Sequence, residues 1–360
     1  MTRILSILNK EGIRCLPCER LSLDADRFSE YKDSDEHPAE EPFERPTLHS
    51  GRKRVIEIDK RLKTILKYFL DGSRRTYKVA DLIVEGRYLP LVAGQTGVAV
   101  VRRSDEGHCV QPLREFCQFH NVIAFPDCVA QDDLNHLRSR INRPGLPEFR
   151  LLSYEVKKGR DPVDLAVARI MRHMQDLEVQ AVAALSSRGL LQNDSMLVVD
   201  GPLRFKEMKA RPFDIVQFRN VLGLSKAFRP SFTVGKGRRR EDVGAITSQL
   251  AFAERSCVFR TYEEDKSIGM WYLRLRPPSM MLNPLQGIVK MECYAIDEED
   301  KESGLDGERV DIISAHILAE RNVSPYHSDW RWASHIYPIY LAETYLKASF
   351  MGDTCFMALF

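Results

Sequence analysis

The stretch Leu197-Val198-Val199-Asp200-Gly201-Pro202-Leu203 constrains this chain more than any other. Met196 to Val199 are apolar and partly β-branched, so they read as a short strand buried on both faces. The strand runs into a carboxylate, and Gly201-Pro202 then breaks it. A charged group at the mouth of a buried strand needs a cation, a set of donors or water. Asp-Gly pairs also start ordinary turns. A second Asp-Gly at Phe69-Leu70-Asp71-Gly72-Ser73, and a carboxylate on a helix between the two, favour a functional role for Asp200.

The chain has 360 residues, 44% of them hydrophobic, enough to bury a large core. It contains no apolar run long enough to span a bilayer, and its N-terminus has too short an apolar stretch for a signal peptide. Eight irregularly spaced cysteines point to reduced thiols in a cytoplasmic protein. A net charge of +2 is no footprint for nucleic acid, so any phosphate-binding charge must be local. Basic clusters occur at Gly51-Arg52-Lys53-Arg54, at Arg74-Arg75, and at Lys236-Gly237-Arg238-Arg239-Arg240. Arginines on glycine-containing loops suit phosphate contacts. Arg74, Arg75, Arg238, Arg239 and Arg240 are therefore the candidate nucleic-acid ligands.

Residues 1 to about 50 read as an N-terminal extension, partly flexible, because Asp24 to Glu44 is crowded with charge and proline. Within it, Cys15-Leu16-Pro17-Cys18 has the spacing of a metal or redox pair, with His37 and His49 as the nearest further ligands. Residues 51–360 read as one domain. Val55 to Lys63 is expected as a short helix, followed by three strands over Ile65–Leu70, Thr76–Val84 and Tyr88–Arg102. Turns at Asp71-Gly72-Ser73 and Glu85-Gly86-Arg87 would join them into an antiparallel meander. Gly94-Gln95-Thr96-Gly97 suggests a bulge or a further hairpin in the third strand. Asp132 to Ile141 reads as a helix.

Pro162 opens a clearer helix. Val167, Ile170, Met171, Met174, Leu177, Ala181 and Leu185 make one apolar stripe, and Glu178 falls inside it. A carboxylate on a buried helix face is costly without a partner, which is either an arginine or a metal. Another helix follows Tyr337-Pro338, with Ile339, Ala342, Leu346 and Phe350 as its stripe and Glu343 on it. The order of a meander bearing Asp71, a helix with an inward Glu178, a strand ending in Asp200 and a late helix with Glu343 resembles the ribonuclease H-like fold. In that fold such carboxylates meet at one sheet edge and hold two divalent metals.

The chain also resembles the NurA nucleases, which carry a Piwi-like version of the ribonuclease H fold. The matching pieces are Asp71-Gly72-Ser73, the helix with Glu178, Leu197 to Leu203, Asn220 to Lys226, Met270 to Leu275, Ile288-Val289-Lys290-Met291-Glu292 and the Tyr337-Pro338 segment. They run in the family's order from about Val55 to the C-terminus. The chain departs from the pattern at Pro202, where a small polar residue is commoner, and at Glu343-Thr344-Tyr345, where the family often has Ala-His. The resemblance implies an α/β fold: a ribonuclease H-like (Piwi-like) mixed sheet flanked by helices, with insertions.

It further implies an enzyme, a manganese- or magnesium-dependent DNA nuclease that is an exonuclease on single- and double-stranded DNA and an endonuclease on single strands. Such proteins form homodimers on a hexameric HerA-type DNA-translocating ATPase, in end resection or antiphage defence. Two metals stabilise the attacking and leaving oxygens of a phosphodiester, and Mn²⁺ and Mg²⁺ prefer carboxylate oxygens. Asp71 is the expected bridging ligand, with Asp200 and Glu178 completing the shells. Glu343 is the expected fourth ligand, with His335 in reserve. Lys226 is expected on the scissile phosphate or water. Glu292 is expected to pair with Arg274 across a hairpin. The apolar tail Thr354 to Phe360 is expected either to fold back or to dock on another chain through Phe356, Met357 and Phe360. The competing classes are a catalytically silent ribonuclease H-like subunit of an ATPase complex and a structural adaptor.

Overall fold

The computed structural model describes residues 3–19, 21–23, 40–48, 51–55, 63–104, 109–203, 214–230, 232–234, 241–263, 265–322 and 330–360. The expected helix over Val55 to Lys63, most of the acidic segment after Asp24, His37, His49 and Arg238 to Arg240 lie outside the described residues.

One mixed sheet organises the molecule. Its long strands are β1 (Leu66–Val84), β2 (Arg87–Arg103), β3 (Gln118–Pro126), β4 (Phe149–Tyr154), β5 (Met196–Asp200), β6 (Val221–Ser225), β7 (Lys266–Arg274) and β8 (Ile288–Tyr294). Across the sheet the order is β4-β3-β2-β1-β5-β6-β8-β7. β1 to β3 form an antiparallel meander, while β5 runs parallel to β1 and β6 parallel to β5. The β1–β2 turn is made by Glu85 (φ 50°) and Gly86 (φ 73°), as a tight two-residue hairpin requires.

Six helices matter here: α1 (Ile4–Lys10), α2 (Gln131–Ile141), α3 (Pro162–Ser187), α4 (Gly307–Glu320), α5 (Tyr337–Ser349) and α6 (Asp353–Met357). Asp161 caps α3 by accepting from the Val163 amide at 2.8 Å, with Pro162 in the first turn. Strand alternation divides the core. Leu70, Leu197 and Val199 pack with Leu177, Ala181 and Leu185 of α3. Phe69, Val198 and Leu224 pack on the opposite face with Ile313 and Ile317 of α4 and Ile339 and Ala342 of α5.

Three sequence expectations need correction. Asp71-Gly72-Ser73 is no turn: it lies inside one continuous 19-residue strand, so the meander consists of longer strands than expected. Its third strand is β3, in a region where the sequence suggested only a helix. Gly94 to Gly97 also form no bulge. The register between β1 and β2 is regular there and shifts instead between Lys78 and Ala80.

Finally, the described parts of the first fifty residues are woven into the fold. Arg14–Leu16 pairs with β1, and the Ile4 amide donates to the Leu359 carbonyl at 2.8 Å. Glu44 is fully buried against Arg255, with Nη2 and Oε2 2.8 Å apart. The C-terminal tail folds back onto this same region. Phe356, Leu359 and Phe360 are buried among Ile4, Leu8, Tyr77 and Phe149. That occupies the apolar surface which docking on another chain would have needed.

Candidate functional site

The site begins where β5 stops. Val199 lies opposite Leu70 in the parallel pairing, so Asp200 follows level with Asp71 on the neighbouring strand. Among the described residues, β1 next gains a backbone partner on this flank at Thr76, whose carbonyl accepts from the Leu23 amide, before Leu21–Ser22 pairs with Lys78 and Tyr77. In open α/β sheets ligands bind outside the carboxyl ends of parallel strands, which is where Asp200 stands.

Asp71 is buried at 5% exposure. Burial raises its pKa well above the ordinary carboxylate range, and the charges of Asp200, Glu343 and Glu178 push it further, against an opposing pull from Lys226. Lys226, just past β6, places Nζ 2.7 Å from Asp200 Oδ2. Burial pulls its ammonium down, but Asp200, Asp71 and Glu343 outweigh that and hold its pKa above the ordinary lysine value. Glu178 reaches the cluster from α3, on the other face of the sheet, and its position explains Gly72. A Cβ on residue 72 would stand 2.0 Å from Glu178 Oε1. Glu343, on α5, also accepts from Lys347 one turn along. His335 is buried against the Tyr340 ring, with centroids 6.2 Å apart.

The structure therefore pairs Lys226 with Asp200 and brings Asp200, Lys226, Glu343 and Glu178 near enough for their charges to act on Asp71. Of the expected phosphate ligands, Arg75 is tied down within the chain. It meets Asp353 at 3.2 Å and lies over the Phe350 ring at 5.6 Å. Arg74 donates to Thr76 Oγ1 at 2.9 Å. Glu292 does not pair with Arg274. In the β7–β8 register Glu292 faces Met270, its carboxylate meets Lys290, and Arg274 donates to the carbonyls of Pro284, Gln286 and Ser248.

Among the described residues, no three His, Cys, Asp or Glu side chains close on one point as a metal ion's ligands do. The donor chemistry nonetheless fits a hard divalent cation. The charges of Asp200, Glu343 and Glu178 all bear on Asp71, Lys226 is the ammonium drawn to them, and burial first, then those neighbouring charges, holds Asp71 towards its protonated form.

One polar pair was missed in the sequence. His120 Nδ1 on β3 lies 3.1 Å from His173 Nε2 on α3, with the rings stacked 5.2 Å apart. His173 is three residues after Ile170 and four before Leu177, so the helical stripe carried the signal. Burial, then the charge of Arg150, lowers His120 to about 4. Burial, then His120, Arg150 and Arg169, lowers His173 to about 4. Both rings are neutral at pH 7, and one donates to the other. Folded values below the ordinary 6.5 mean that this pair's stability is present above pH 6.5 and is lost as the pH falls towards about 4. Melting temperature measured from pH 7.5 to 4 is expected to fall more steeply in the wild type than in a His120→Phe/His173→Leu variant.

Comparison with protein-family models and with curated proteins found no match to this chain. Among the described residues, no helix is long and apolar enough to cross a membrane.

Proposed function

We propose that this protein is a divalent-metal-dependent DNA nuclease of ribonuclease H-like type. The observation that carries the reading is the meeting of Asp71 and Asp200 on adjacent parallel strands, with Glu178 and Glu343 drawn in from helices on opposite faces. The strand order β3-β2-β1-β5-β6, with only β2 antiparallel to the rest, supports it as the arrangement expected of such a fold. Asp71, Asp200, Glu178 and Glu343 would hold Mn²⁺ or Mg²⁺, which supplies activation of water and stabilisation of charge on the phosphodiester oxygens. Lys226, held beside Asp200, would hold a phosphate oxygen there. DNA is the proposed substrate. A second copy of the chain and a hexameric HerA-like ATPase are the proposed partners, since the sequence has no Gly-x-x-x-x-Gly-Lys-Ser/Thr motif of its own.

The test is degradation of end-labelled single- and double-stranded DNA. Cleavage is expected with Mn²⁺ or Mg²⁺, little with Ca²⁺, and none with EDTA. Full cleavage in EDTA would reject the reading. A second reading, a catalytically silent subunit, is favoured by the 2.7 Å contact of Lys226 with Asp200, which takes up an oxygen that a metal would need. DNA binding without cleavage in any of these metals, with or without the ATPase, would select it.

A further inference from the structure

The turn that follows Asp200 is held from behind by an unusual pair. Lys290 and Glu292 lie two apart on β8, so both point to the same face of the sheet, and both are fully buried. Lys290 Nζ sits 3.1 Å from Glu292 Oε1. The other carboxylate oxygen, Glu292 Oε2, accepts from the Leu203 amide at 2.8 Å. One strand-step on, the Tyr294 hydroxyl donates to the Leu203 carbonyl. Leu203 is thus clamped by both of its backbone polar groups.

The rest of the turn is shaped to reach this clamp. Gly201 has φ +121°, a backbone that glycine alone adopts readily, and its amide donates to the Leu224 carbonyl at 2.8 Å. Leu203 then folds over Gly223, where a Cβ would stand 2.7 Å from Leu203 Cγ. Gly223 is the register partner of Glu292, and Ser225 that of Lys290. The loop from Asp200 therefore crosses β6 and ends on the β8 pair.

A buried ion pair of this kind is poor at adding stability. Its desolvation cost commonly cancels its attraction, and apolar replacements of similar volume are often neutral or stabilising. Its retention needs another reason, and the clamp supplies one. We propose that Lys290 and Glu292 are positioning residues, which fix the Gly201–Leu203 turn and through it the orientation of Asp200 towards Asp71 and Lys226. Lys290 aims Glu292, and Glu292 holds the turn. The proposal rests on the metal-nuclease reading, because it gives that orientation a purpose.

The experiment compares two double variants with the wild type. Lys290→Met/Glu292→Gln removes both charges but leaves an amide oxygen to accept from Leu203. Lys290→Met/Glu292→Leu removes the acceptor as well. The second variant is expected to melt at or above the wild-type temperature, to show faster hydrogen exchange at the Leu203 amide, and to cleave DNA about 10–100-fold more slowly, as loss of an outer support of a metal ligand does. The Mn²⁺ concentration for half-maximal cleavage should rise with it, and the first variant should restore both towards wild type. A Leu variant with wild-type cleavage and an unchanged Mn²⁺ midpoint overturns the proposal, and leaves the metal reading intact. Loss of activity through unfolding, seen as a lowered melting temperature in both variants, also overturns it, because the pair is then structural. A wild type that neither binds Mn²⁺ nor cleaves DNA sinks the reading and the proposal together.

Discussion

Asp71→Asn is expected to abolish cleavage and at the same time to raise the stability of the metal-free protein. The two effects share one cause. Burial and the charges of Asp200, Glu343 and Glu178 hold the Asp71 pKa well above its ordinary value. Above the ordinary carboxylate pKa the unfolded chain has released this proton, while the folded chain still holds it or pays to release it. Stability therefore declines as pH rises through that interval, and at pH 7 an ionised Asp71 works against folding. An amide of the same shape removes the repulsion, and about 1–2 kcal/mol is within the usual gain from one stabilising substitution. It also removes a proposed metal ligand. Urea unfolding with and without Mn²⁺ checks both halves: the variant should start more stable and gain nothing from the ion. A variant that is less stable than the wild type would show that Asp71 is a satisfied structural carboxylate.

Phe356→Ala is expected to cost about 3–5 kcal/mol, the usual loss for a large aromatic removed from a packed core. Phe356 is fully buried, with its ring 5.5 Å from Tyr77, 6.1 Å from Phe149 and 5.6 Å from Phe360. This cluster joins α1, α6 and the far end of β1, so the two ends of the chain are stabilised together. Deleting Thr354 to Phe360 should destabilise the fold further, because Ile4, Tyr77 and Phe149 lose their cover. Chemical denaturation gives the cost directly. A truncated chain as stable as the whole one, but impaired in assembly, would restore the docking role that its apolar composition suggested.

The legible parts of this sequence were those where local pattern and burial agree. The α3 stripe is long and amphipathic, so Glu178 could be placed on its inner face from spacing alone. Met196 to Asp200 is short but apolar on both faces, and it forms β5 as read. Elsewhere, residue types chosen for close packing imitated turn chemistry. Gly72 looks like half of a turn, yet it clears a path for Glu178. Gly94 and Gly97 look like a bulge, yet a Cβ at Gly94 would meet the Arg75 carbonyl at 2.3 Å and one at Gly97 the Gln118 carbonyl at 2.7 Å. The N-terminal segment read as an extension because its composition is polar. Glu44 nonetheless enters the core, and nothing local announces Arg255 as its partner 211 residues away. Likewise Glu292 pairs along its own strand with Lys290, which alternation permits, and not with Arg274, which only the wrong hairpin register would bring opposite. Long-range pairing of charges was the information a single sequence lacked.

The central claim is that the excess negative charge around Asp71 and Asp200 is a site for a divalent cation. Calorimetric titration of Mn²⁺ into the metal-free protein tests it most directly, in parallel with the Asp71→Asn and Asp200→Asn variants. The wild type should bind Mn²⁺, and its stability should rise with the logarithm of Mn²⁺ concentration, by about 2.7 kcal/mol at a hundred times the dissociation constant. Both variants should lose most of the binding and of the stabilisation by Mn²⁺. Binding of equal strength in all three proteins, or no binding in the wild type, would contradict the account.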